Sequence, residues 1–148
     1  MKRPEFDKRQ FPHWTTLPIR FRDLDPLNHV NNAIFSTYYE EARIAFIQEV
    51  NKLASELKNG FSFVLANLEI EFIRPVEYPN KILIGSGIKS LGNSSITSFQ
   101  AIYTGDKKKL ASVAKAHGVW FDLNKQRPAR IPEIPNADNY ILSDSLFE

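Results

Sequence analysis

RFRDLDPLNHVNNAIFSTYYEEARIAF, residues 20–46, changes character in its middle. The first half gathers two Asp, three Asn, a His and a Pro, side chains that make a poor core. The second half repeats apolar residues at steps of three and four: Phe35, Tyr38 or Tyr39, Ala42 and Phe46, continued by Val50. That spacing predicts a helix from about Asn32 to Lys52 with one apolar stripe. Asn31 or Asn32 suits its N-cap. Glu40 and Arg43 lie three apart, a spacing that pairs them on the outer face. The polar run Glu56–Gly60 closes the segment. A lone amphipathic helix has to bury its stripe, so the remaining chain must supply an apolar surface.

The flanking sequence reads as that surface. Upstream, Ile19 and Phe21 alternate with Arg20 and Arg22, a first strand that ends near Asp23. Pro26 then breaks the strand and keeps Asp25 out of a helix, leaving Asp25–Asn31 as a loop. Downstream, Leu68, Ile70 and Phe72 alternate with Asn67, Glu69 and Glu71 in a half-buried strand that stops before Pro75. Three more strands follow in KILIGSGIKSL, SSITSFQAIYT and KLASVAKAHGVWFDL, set apart by the turn signals YPN, LGN and TGDKK. Such short connections join antiparallel neighbours. The expectation is an α+β fold, a curved antiparallel sheet of about five strands wrapped around one long central helix. Residues 1–148 form a single domain, with 1–14 as a loose arm and 133–148 as a polar tail draped over the surface.

Composition narrows the chemistry. The chain has 148 residues, 43% hydrophobic and 24% charged, enough apolar content for a packed core. Its 19 basic and 17 acidic residues leave a net charge of +2, too small an excess to argue for nucleic acid. No cysteine is present, which excludes disulfides, thiolate metal sites and a Cys nucleophile. No apolar run is long enough to span a bilayer and none resembles a signal peptide, so a cytoplasmic protein with no membrane partner is expected. His13, His29 and His117 lack metal-ligand spacing, and no Ser nucleophile elbow, P-loop or dinucleotide fingerprint occurs. Neither metal nor cofactor is expected.

The polar crowd at the helix start therefore carries the chemistry. Turns are made of Asp, Asn and Pro, and each residue alone could serve capping or an Asx-turn. Together they exceed what one turn uses. A helix start presents unpaired N–H groups and a partial positive charge, which suits a carbonyl oxygen turning negative during acyl transfer. A carboxylate upstream on the loop faces the same spot, as a nucleophile or as a base for water. An activated acyl group such as a thioester needs no more than this.

DLDPLNHVNN followed by FSTYYEEAR resembles the hotdog-fold thioesterases, both the 4-hydroxybenzoyl-CoA thioesterase-like group and the acyl-carrier-protein thioesterases. The resemblance continues through LEIEFIRPVEYPNKILIGSGIKSLGNSSITSFQAIY and LASVAKAHGVWFDLNKQRPARIP, roughly residues 15–132. It implies a hotdog fold, the helix as sausage and the sheet as bun. It implies an acyl thioesterase acting on acyl-CoA or an acyl-carrier protein. Asp25 falls on the family's catalytic Asp, the backbone N–H near Asn32 on its oxyanion donor, and His29 on a His implicated in acyl-carrier members. Leu27 stands where those members have an Asn, with Asn28 one place later. Asn31, Arg74, Tyr38 and Ser95 are the substrate-binding candidates. Subunits of the family pair with their sheets side by side, so a homodimer or homotetramer is expected. Two alternatives stand beside hydrolysis: a hydratase or dehydratase on an acyl thioester, and a non-catalytic acyl-binding module.

Overall fold

A computed structural model describes residues 1–147. Strand β1 (His13–Pro18) leads into helix α1 (Asn32–Glu49) and a shorter helix α2 (Asn51–Leu57). Four long strands follow: β2 (Phe61–Phe72), β3 (Lys81–Leu91), β4 (Ser95–Thr104) and β5 (Leu110–Asp122), then a two-residue β6 (Arg127–Pro128). The six strands pair antiparallel with one another, in the order β1-β3-β4-β5-β2, with β6 against the end of β5. This is the hotdog arrangement that the sequence implied. Among the described residues no helix is long and apolar enough to cross a membrane.

The helical stripe behaves as its spacing requires. Phe35, Tyr38, Tyr39, Ala42 and Phe46 are all buried. Phe35, Tyr38, Tyr39 and Ala42 pack on Ile82, Ile84, Ile102 and Ala114 from the concave face of the sheet, and Phe46 packs further along with Ile88 and Trp120. Tyr39 Oη donates to Ser112 Oγ at 2.8 Å, so the one polar atom of that deeply buried ring is satisfied. The helical segment breaks at Val50, whose φ of −90° and ψ of 94° are extended, and α2 restarts beyond it.

Three expectations are corrected. The first strand lies earlier than the Ile19–Arg22 alternation: β1 ends at Pro18 and Phe21–Asp23 is a 3-10 turn with Phe21 74% exposed. The Asp23 carboxylate draws Arg20 back onto itself and closes that turn. Arg43 does not pair with Glu40 on the outer face; it turns inward and donates to Gln100 Oε1 at 3.3 Å. The arm is not loose; it packs on the sheet together with the tail. Phe11, Leu142 and Leu146 are buried against Phe99, Ala101, Tyr103 and Val113 on the convex face, a second core on the far side of the sheet. Gly85 and Gly87 make room for it, since a Cβ on Gly85 would lie 2.5 Å from Phe11 Cδ2 and one on Gly87 2.4 Å from Leu142 Cδ2.

Candidate active site

The loop before α1 is a tight hairpin. Leu24 and Val30 pair across it, and the Asp25 N–H donates to the His29 carbonyl at 2.8 Å. Pro26 pre-sets the first turn position, and Asn28 takes the left-handed one with φ 63°. Asn tolerates that conformation better than most residues with a Cβ, which gives Asn28 a conformational task. Inside the hairpin Asp25 Oδ1 accepts from the N–H of Leu27 at 2.9 Å and, at 3.4 Å, from that of His29. Among the described residues Asp25 Oδ2 has no bond.

Asp23 anchors this hairpin from beneath. Its carboxylate, 1% exposed, accepts from Arg20 N at 3.0 Å, Arg20 Nη2 at 2.9 Å and Tyr38 Oη at 2.7 Å. Its carbonyl accepts from the Asn31 N–H at 2.9 Å. Burial alone would raise the Asp23 carboxyl, but the bonds from Arg20 and Tyr38 outweigh it and hold the group below its ordinary range. Burial and the same Asp23 bond push the Tyr38 hydroxyl well above the usual tyrosine range.

At the helix start Asn31 is the N-cap, its Oδ1 accepting from the Ala33 N–H at 3.0 Å and its carbonyl from the Ile34 N–H at 2.9 Å. The Asn32 N–H, one residue earlier, has no acceptor among the described residues. It is the kind of orphan donor that a helix start leaves over.

Asp25, His29, Asn32 and Arg74 line one cavity of about 290 Å³. Phe35 and Phe72 also line it, their rings edge to face at 5.3 Å. The remaining candidates lie elsewhere. Asn31 is spent on capping, Tyr38 is buried with its hydroxyl on Asp23, and Ser95 pairs with Val119 near the opposite end of β5 from this cavity. Phe72 escaped the sequence reading as a cavity wall because its alternation marks it only as strand. A larger cleft of about 780 Å³ separates the arm from the tail, but none of its lining residues belongs to the hairpin or the helix start. Among the described residues no three His, Cys, Asp or Glu side chains are grouped to share a metal ion.

The arrangement joins an uncommitted carboxylate oxygen, an uncommitted helix N–H and an apolar wall. Known proteins resemble it along most of the chain. Residues 19–137 match the model of the thioesterase-like superfamily. The acyl-acyl carrier protein thioesterase ATL3 of Arabidopsis thaliana is 27% identical over 121 residues, 81% of this chain. The chain spans 63% of the length of that relative. The long-chain acyl-CoA thioesterase FadM of Escherichia coli is 26% identical over 76% of this chain and 86% of its own. A Thermus thermophilus thioesterase solved with coenzyme A and zinc is 34% identical, with a TM-score of 0.72 over 84% of this chain and 94% of its own. With the matched segment holding the hairpin, both helices and the sheet from β2 onward, the chain belongs to the thioesterase-like superfamily.

Proposed function

We propose that this protein hydrolyses acyl thioesters of coenzyme A or an acyl-carrier protein, with Asp25 as the reacting carboxylate and the Asn32 N–H as the oxyanion donor. The observation that carries this is the split duty of Asp25: Oδ1 holds the turn through the Leu27 N–H, Oδ2 has no bond among the described residues, and Asp25 lines the same cavity as Asn32. Asp25 either takes a proton from water, whose hydroxide adds to the thioester carbon, or adds to that carbon itself. In both routes the carbonyl oxygen becomes negative and is met by the Asn32 N–H and the positive end of α1. Collapse expels the thiolate, which takes up a proton; on the second route water then cleaves the acyl–Asp25 anhydride, releasing the acid and restoring the carboxylate. His29 orients water, and Arg74 offers a cation to the phosphates of the thiol carrier. A cytoplasmic location accords with such substrates.

A second copy of the chain belongs to this proposal. β2 is an open sheet edge with Val64, Leu65 and Phe72 each between 45% and 48% exposed, a surface that invites edge pairing. The Phe72 end of β2 borders the Asp25 cavity, and its Ser62–Leu65 end borders a second, apolar cavity. Antiparallel pairing of β2 with its copy sets the first of one protomer against the second of the other.

Asp25→Asn tests the central assignment. Asn keeps an Oδ1 acceptor for the Leu27 N–H, so melting should stay within about 1 kcal/mol of wild type. Thioester hydrolysis, followed by free-thiol release, should fall by a factor of about 10³ or more. Unchanged turnover removes Asp25 from its role.

A further inference from the structure

We propose that the apolar cavity beneath the second half of α1 is the acyl-chain subsite, and that Arg43 tunes it to chains bearing a neutral oxygen substituent. The proposal rests on the thioesterase reading above and adds the class of acyl group.

The cavity has a volume of about 300 Å³ and two unlike ends. Toward the C-terminal side it is walled by Phe46, Val50 and Leu53 from the helices and by Phe63, Ile88 and Ile96 from the sheet. Hydrocarbon gains there by leaving water. Nearer the helix start Glu40 and Arg43 line it, and Ser98 lies beside Ile88 across the β3–β4 pair.

Arg43 is held in place from below. Gln100 is 1% exposed, and its amide Nε2 donates to the Tyr39 carbonyl at 3.2 Å and to Ser86 Oγ at 2.9 Å. Those bonds fix the amide so that Oε1 faces Arg43, which donates one Nη1 bond at 3.3 Å. A guanidinium has five N–H donors. Among the described residues Arg43 makes no other hydrogen bond and has no carboxylate within ion-pair distance. The Ser98 hydroxyl is likewise unbonded among the described residues. Burial works against the Arg43 charge, and Glu40 supports it. A cation kept at the rim of an apolar cavity with donors to spare gains most from a ligand oxygen that accepts them. Glu40 lines the same cavity and already offsets the Arg43 charge, so the spare donors suit a hydroxyl or carbonyl oxygen, which brings no second anion beside Glu40.

The test uses dodecanoyl-CoA, the same thioester hydroxylated at successive chain positions, and the corresponding ω-carboxylated chain. Each is hydrolysed by wild type, Arg43→Met and Arg43→Lys. In wild type a hydroxyl at one position, or at two adjacent ones, should raise kcat/KM over the plain chain roughly tenfold. Arg43→Met should abolish that preference and Arg43→Lys should keep part of it. A wild type with no preferred position, or a preference equally strong in Arg43→Met, overturns the assignment. A stronger preference for the carboxylated chain overturns the neutral oxygen. Binding is measured separately, by displacing a fluorescent fatty acid with plain and hydroxylated free acids, which requires no turnover. Hydroxy acids that bind wild type more tightly than Arg43→Met while no thioester is cleaved would uphold the subsite and sink the hydrolase. Thioester cleavage with no chain preference dependent on Arg43 would do the reverse.

Discussion

Replacing Asp23 with Ala should lower stability by about 3 kcal/mol, within the roughly 2–5 kcal/mol to which the separate bonds it accepts add up. The Arg20 side chain is 50% exposed, so solvent screens that ion pair and its loss costs no more than about 1 kcal/mol. Tyr38 Oη is buried and would keep no acceptor, at a cost of about 1–3 kcal/mol. The Arg20 N–H loses its partner too, about 1 kcal/mol more. A domain stable by about 5–15 kcal/mol survives this. Its melting temperature should fall by roughly 10 °C. Melts followed by circular dichroism, at matched protein concentration because self-association moves the midpoint, would measure it. Tyr38→Phe should cost about 1 kcal/mol, and because the two residues share one bond the double variant should lose less than the sum. The acid limb gives a second readout. Asp23 has a folded pKa below its unfolded value, so its stabilisation is complete above the ordinary carboxylate pKa of about 3.9 and is lost as pH falls through the folded value. Asp23→Asn, which cannot titrate, should lack that slope. An Asp23→Ala protein melting within a degree of wild type, or an additive double variant, would refute the reasoning.

Two other substitutions separate conformation from contact. Asn28→Gly should leave stability within about 0.5 kcal/mol, whereas Asn28→Val should lose about 1–2 kcal/mol to left-handed strain, both read from chemical denaturation. Gly85→Ala puts a Cβ into the Phe11 ring, so the arm must lift; a loss of about 1–3 kcal/mol with faster proteolysis ahead of β1 is expected, and an arm as protected as in wild type would contradict the packing.

The parts of this molecule that could be read from the sequence are those whose cause is local. Phe35 to Phe46 lie on one stripe because helical geometry puts them there, and Leu68 and Ile70 face inward because a strand alternates. The hairpin is nearly as legible, since Pro26 and Asn28 each fill a turn position by their own conformational preference. The same local rule misplaced β1. Ile19 and Phe21 alternate like a strand, but Asp23 collects Arg20 and Tyr38, and a buried carboxylate with several donors outweighs a short alternation. The arm was missed for the opposite reason. Phe6, Phe11 and Trp14 are scattered among charges without a period, and what buries them is a sheet face built some ninety residues later, around Phe99 and Tyr103.

Arg43 shows where local reasoning reaches its limit. Three residues from Glu40, it fits a surface pair, and such a pair is worth about half a kcal/mol. Gln100 lies 57 residues away and is pinned by Tyr39 and Ser86, so its carbonyl oxygen would be a buried acceptor without a donor if Arg43 turned outward. Leaving such a group unpaired costs about 1–3 kcal/mol, more than the surface pair returns. The inward rotamer follows from that inequality, and with it a guanidinium on the cavity rim. No window of sequence around Arg43 contains the term that decides it.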